Sequence, residues 1–147
     1  PPYWINMGAV AISTLAGTRL IQAIESSSSS LNTLLPFIKG MTLMYWATAT
    51  WWIPILLFLG IWRHHVCKFK FEYDPLYWGL VFPLGMYSVC TFQLSKIFEF
   101  PFFFALLAKS FAVFALIAWL LTFLGMAKDI LYLILLGLGF PPLKEKQ

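Results

Sequence analysis

Charge is what this sequence has least of. Only 11% of its 147 residues are Asp, Glu, Lys or Arg, where a soluble domain carries about 25%. With 61% of residues hydrophobic and gathered in long blocks, that deficit excludes a water-soluble globule and leaves an integral membrane protein. Cysteine is sparse too: Cys67 and Cys90 form no CxxC or ligand-type spacing, so neither a disulfide framework nor a thiolate metal site is expected. Histidine occurs only as the adjacent pair His64-His65. Neighbours on a helix point about 100° apart, so the pair reads as solvated juxtamembrane residues rather than as metal or haem ligands. No apolar block holds two carboxylates, no Ser–His–Asp set assembles, and no phosphate-binding loop is present. The chain is therefore not expected to be an enzyme or to hold a metal or cofactor. Its net charge of +4 resides beside apolar spans, where it orients a protein in the bilayer, and implies no nucleic-acid partner.

What is there is length. Crossing about 30 Å of hydrocarbon takes about 20 helical residues, and four stretches satisfy this: about 3–24, 41–62, 76–95 and 102–127. The sequence thus predicts an all-α, polytopic membrane protein with four transmembrane helices. A further apolar run, 130–140, ends at Pro141-Pro142 and is too short to span, so it is expected as an interfacial tail. "ESSSSSLNT" reads as a solvated linker and "KIFEFP" as a tight turn. Four spans put the 63–75 loop and both termini on one side, with Arg63, Lys68, Lys70, Lys128, Lys144 and Lys146. Lys39 and Lys96 lie on the other, joined by Arg19 and Lys109 if these snorkel outward. The positive-inside rule places the former side, and so the C-terminus, in the cytoplasm. The opening "PPYWINMG" has no initiator Met and no cleavable signal, which suggests a piece of a longer protein.

The spans differ in kind. The first, "GAVAISTLAGTRL", is rich in small residues that let helices approach closely or leave room for a lumen. The second and fourth are rich in Trp and Phe, as lipid-facing helices are. Inner helices paired with outer ones are the expected arrangement. Intramembrane ionisable residues are functional candidates. Lys109 reads as a snorkelling residue, whereas Arg19, after Thr14 and Thr18 on the small-residue helix, is a candidate anion-attracting group.

The third span, "PLYWGLVFPLGMYSV", carries its breakers near its middle. Pro83 has no N–H and clashes with the carbonyl of Gly79; Gly79 and Gly85 ease the bend. From the residues alone two readings stand: a kink that improves packing, or a bend that pushes Phe82 into a lumen as a hydrophobic constriction.

The segment "PLYWGLVFPLGM" after a basic loop resembles the ninth helix of the tellurite-resistance/C4-dicarboxylate transporter family, which includes the plant slow-type anion channels. "PPYWINMGAVAISTLAG" resembles the seventh helix of its prokaryotic members. The whole chain, 1–147, matches the last four helices of that ten-helix protein, so the expected domain is part of a transmembrane channel or transporter. The resemblance implies five helical hairpins in quasi-fivefold order, odd helices around a central pore, even helices outside, and a homotrimer in a prokaryotic inner membrane. It implies transport of small inorganic anions, C4-dicarboxylates, or tellurite or sulfite, and it makes Phe82 the pore gate, with Gly79, Pro83 and Gly85 forming the kink. Met86 and Val89, and on the first span Ala11, Thr14 and Thr18, are the pore-lining candidates. Two other classes are open: a small structural or assembly subunit of a membrane complex, and a membrane enzyme using His64, Glu72 and Asp74.

Overall fold

The computed structural model describes residues 3–26, 30–62, 73–98 and 101–137. These contain four α-helices and no strand: α1 (Trp4–Ser26), α2 (Leu35–Ile61), α3 (Trp78–Leu94) and α4 (Pro101–Gly137). Short 3₁₀ turns, Ser30–Leu34 and Pro75–Tyr77, lead into α2 and α3. At the second of these, the Leu76 N–H donates to Asp74 Oδ1 at 2.9 Å, so Asp74 is a turn-capping residue.

Three helical segments are long and apolar enough to cross a membrane: Trp4–Ser26, Leu31–Ile61 and Phe102–Leu135. All four expected spans are helical, and three of them are long and apolar enough on their own to cross. Helix α3 has 17 residues, about 26 Å of rise against a hydrocarbon core of about 30 Å. The fourth helix differs more. Residues 130–137 are not a separate interfacial tail but continue α4, 37 residues long. Lys128 and Asp129 look like an end in sequence, yet Lys is a good helix former, Asp costs at most about 0.7 kcal/mol relative to Ala, and no glycine or proline stands between them and Leu136. The tail beyond Gly137 and the 63–72 segment, with His64, His65, Cys67 and Glu72, lie outside the described residues.

The helices form two antiparallel hairpins joined through their first members. In one, Lys39 of α2 bonds Glu25 of α1 at 2.7 Å, and a Cβ on Gly17 would lie 3.0 Å from Thr42 Cβ. In the other, Ser88 of α3 donates to the Ala108 carbonyl of α4 at 2.8 Å, and Gly125 lies against Tyr73. Between the hairpins, a Cβ on Gly79 would stand 4.0 Å from Ile5, and one on Gly8 would stand 3.0 Å from Pro83 Cγ. These two contacts run in the same sense, so α1 and α3 are parallel and adjacent. In the packing that forms, α2 lies on α1, α4 lies on α3, and α1 and α3 lie on each other.

The core combines Met7 and Ala11 of α1, Ala49 and Leu56 of α2, and Leu84, Tyr87 and Cys90 of α3. Most of the buried polar groups find partners inside the protein, as lipid surroundings favour. The hydroxyls of Thr14, Thr18, Thr42 and Thr122 donate to carbonyls one turn back, at 2.7–2.9 Å. Trp46 of α2 donates its indole N–H to Thr91 of α3 at 2.9 Å, and Thr50 shares a 2.8 Å bond with the Tyr87 hydroxyl. The Trp46 ring also meets Phe104 of α4 edge-on at 5.1 Å, tying three helices together. Replacing Trp46 by Phe strands the Thr91 hydroxyl. Interhelical hydrogen bonds in membranes contribute about 0.6–2 kcal/mol, so unfolding in detergent is expected to show a loss of about 1 kcal/mol. The loss should shrink in a double-mutant cycle with Thr91→Val.

Candidate functional site

Every helix facing lipid or a neighbour buries one stripe and exposes another, so the position of each candidate follows from its angle on the wheel. On α3, Pro83 points to α1, Tyr87 and Thr91 to α2, and Ser88 to α4. The remaining side carries Phe82, Gly85, Met86, Val89 and Phe92. Phe82 is 57% exposed and Val89 45%, Gly85 and Met86 are half-buried, and a Cβ on Gly85 would meet nothing within 4 Å. This is an open, apolar stripe at i, i+3, i+4, i+7 spacing.

Helix α1 offers a matching stripe. Ile5, Ala9, Ile12, Ala16 and Arg19 are exposed, and Ile5, Ile12 and Arg19 recur every seven residues on the edge nearest α3. The two stripes border one shallow groove. At its start lie Ile5 and Phe82; two turns on come Ile12 and Val89; at its far end stand Arg19, Phe92 and Lys96, whose ammonium sits 4.7 Å from the Phe92 ring centre.

The candidates from sequence therefore separate into two sets. Phe82, Gly85, Met86, Val89 and Arg19 share the groove. Ala11, Thr14 and Thr18 do not: all three have 0% exposure. Ala11 is a core residue, and both threonines are bonded to their own helix. Gly8, Ala11, Thr14 and Thr18 serve helix–helix approach on the buried side of α1, and the open side is the one with Ile5, Ala9, Ile12 and Ala16. Pro83 is buried against Gly8, so the proline inside α3 nests into α1. Of the "VFPLG" segment, the structure shows the packing: the proline is buried, and the phenylalanine beside it is exposed. Lys109 is exposed on α4.

Sequence reasoning missed Gln93. Eleven residues after Phe82, it returns to within about 20° of the same direction, yet it is only 9% exposed, and its Oε1 is buried without a hydrogen-bond partner among the described residues. Among those residues no group of three or more His, Cys, Asp or Glu gathers as a metal site would require.

The profile of the voltage-dependent anion channel family (SLAC1) matches residues 1–127. The chain belongs to this anion channel family. Within it, the chain is 34% identical over 130 residues to an uncharacterized membrane protein of Mycobacterium tuberculosis, covering 86% of this chain and 62% of that protein. It is 27% identical over 100 residues to an uncharacterized transporter of Methanocaldococcus jannaschii, covering 68% of this chain and 27% of the relative. A second such transporter of that organism is 26% identical over the same length. The chain of this anion channel family member thus spans less than two thirds of the curated relatives it matches. No solved structure matches it.

Proposed function

We propose that this chain lines part of an anion pathway, and that the groove between α1 and α3 is the lining. One observation carries the reading: the two parallel helices leave a continuous open face that is apolar at Phe82 and cationic at Arg19 and Lys96. In a membrane of a channel family, an open face on the two inner helices is where the outer pair gives no cover. Phe82 closes the pathway. Its ring narrows the lumen to a segment that water leaves, and an ion cannot pass a dewetted segment. Arg19 and Lys96 raise the local anion concentration at the far mouth.

The substrates are small inorganic anions or C4-dicarboxylates, with tellurite or sulfite in the same charge class. The working assembly is a homotrimer in a prokaryotic inner membrane, and the 63–75 loop and C-terminus face the cytoplasm. Met86 and Val89 keep the lining role that the sequence suggested for them, and Ile5 and Ile12 take the part expected of Ala11, Thr14 and Thr18.

The test is flux. The natural gene product containing this chain, reconstituted in vesicles with a potassium ionophore, is expected to carry chloride, nitrate or malate down an imposed gradient. Absence of flux for all three, with Phe82 intact or replaced, would overturn the reading in favour of a structural subunit.

A further inference from the structure

We infer that Gln93 and Arg19 together form an anion-binding site at the cationic end of the groove, just beyond the apolar segment that holds Phe82; the inference rests on the pathway reading above. The register between the helices sets the pair at one level. Ile5 stands by Gly79 and Gly8 by Pro83, so continuing the parallel pair one residue at a time brings Thr18 and Arg19 to the height of Gln93.

On α1, Arg19 is the third member of the exposed Ile5–Ile12–Arg19 series along the edge nearest α3. On α3, Gln93 follows Phe82, Met86 and Val89 on the edge nearest α1. A guanidinium and a primary amide thus flank the same groove. The neighbouring polar groups are already engaged: the Thr18 hydroxyl donates to Leu15 O at 2.7 Å, and Lys96 lies over Phe92. Of the acidic residues at this end, Glu25 is held by Lys39 at 2.7 Å, and Glu99 lies outside the described residues.

The Gln93 amide is the unexplained part. It is 91% buried by a residual exposure of 9%, and its oxygen has no partner. A buried amide oxygen left unbonded is costly, and a leucine of similar volume would pack there without that cost. An amide also carries two N–H donors, and its two ends exchange by rotation of one torsion. Turned to the groove, those donors can replace part of an anion's hydration while Arg19 supplies the charge. A halide or nitrate fits this donor set, since neither needs a second cation to neutralise it.

Two measurements on the natural gene product test the site. The first is binding: bromide replaces gluconate at constant ionic strength, and thermal unfolding in detergent is followed. Wild-type protein is expected to melt at a higher temperature in bromide, and Gln93→Leu and Arg19→Gln are expected to lose that shift. Gln93→Leu in gluconate should melt no lower than wild type, because it removes an unpaired polar group. The second is current in a Phe82→Ala background: Gln93→Leu is expected to raise the half-saturating chloride concentration about three- to tenfold, the worth of one hydrogen bond, and Gln93→Glu to suppress current further. No bromide shift in wild type, or an equal shift in the two variants, overturns the site. Bromide shifts that follow Gln93 while Phe82→Ala carries no current keep the site and overturn the pathway.

Discussion

Phe82→Ala is expected to raise anion conductance by about an order of magnitude, the mark of removing a hydrophobic constriction. The physical case is that the ring stands free. More than half of it is exposed, and among the described residues it joins none of the aromatic pairs that fasten Trp46, Tyr87, Phe104 and Phe111. Truncation therefore removes little packing, unlike a core Phe→Ala change at about 3–5 kcal/mol. The neighbouring Pro83, buried against Gly8, keeps the α3 backbone in place. Patch or bilayer recording of the two proteins at equal surface expression measures the effect. A conservative Phe82→Leu change should lie between them, since a smaller apolar group leaves a wider but still dry segment. A packing role alone would instead lower stability and leave conductance unchanged.

The largest loss of stability is expected from Gly17. Its missing side chain is what lets α2 approach: an added Cβ would meet the Thr42 side chain, with Thr42 Cβ and Cγ2 each at 3.0 Å. Thr42 has little room to retreat, because it is 2% exposed and its hydroxyl is bonded to Ile38 O at 2.7 Å. Overpacking of this kind costs about 1–3 kcal/mol. A β-branched Gly17→Val adds two methyl groups to the clash and should lie at the top of that range. Alanine's helix propensity, about 1 kcal/mol better than glycine's, offsets part of the penalty in Gly17→Ala. Denaturant or thermal unfolding of the detergent-solubilised protein checks the order wild type, Gly17→Ala, Gly17→Val. Adding Thr42→Gly should recover part of the loss, because the obstructing atoms are then gone.

The general architecture was legible because lipid imposes simple rules. Scarce charge and long apolar blocks pointed to helices, and the order of the spans matched the two hairpins that form. Facing was harder. Ala11, Thr14 and Thr18 are as compatible with a lumen as with a close helix contact, and only the contacts of α1 with α2 and α3 reveal that they are buried. A weak seven-residue series, Ile5–Ile12–Arg19, was visible in the sequence, but apolar residues in a membrane helix do not distinguish lumen from lipid. The end of α4 was misjudged for a related reason. Lys128-Asp129 looks like a water boundary, whereas a helix ends only where its backbone is broken or capped, and nothing does so before Gly137. Gln93 escaped notice because an uncharged polar residue among apolar ones gives no sign of whether it is paired.

The central claim, that the α1–α3 groove borders an aqueous pathway while α2 and α4 face lipid, is tested most directly by thiol accessibility. In a background with every native cysteine of the gene product replaced, Cys67→Ser and Cys90→Ala among them, single cysteines are introduced at Ile12, Val89, Phe58 and Leu116, all exposed in the structure. Each variant of the natural gene product, in membranes, is treated with a small charged methanethiosulfonate reagent in the presence of Phe82→Ala. The account predicts rapid modification at Ile12→Cys and Val89→Cys, slowed by chloride in the bath, and none at Phe58→Cys and Leu116→Cys. Equal protection at all four positions, or reaction confined to Phe58→Cys and Leu116→Cys, would contradict it.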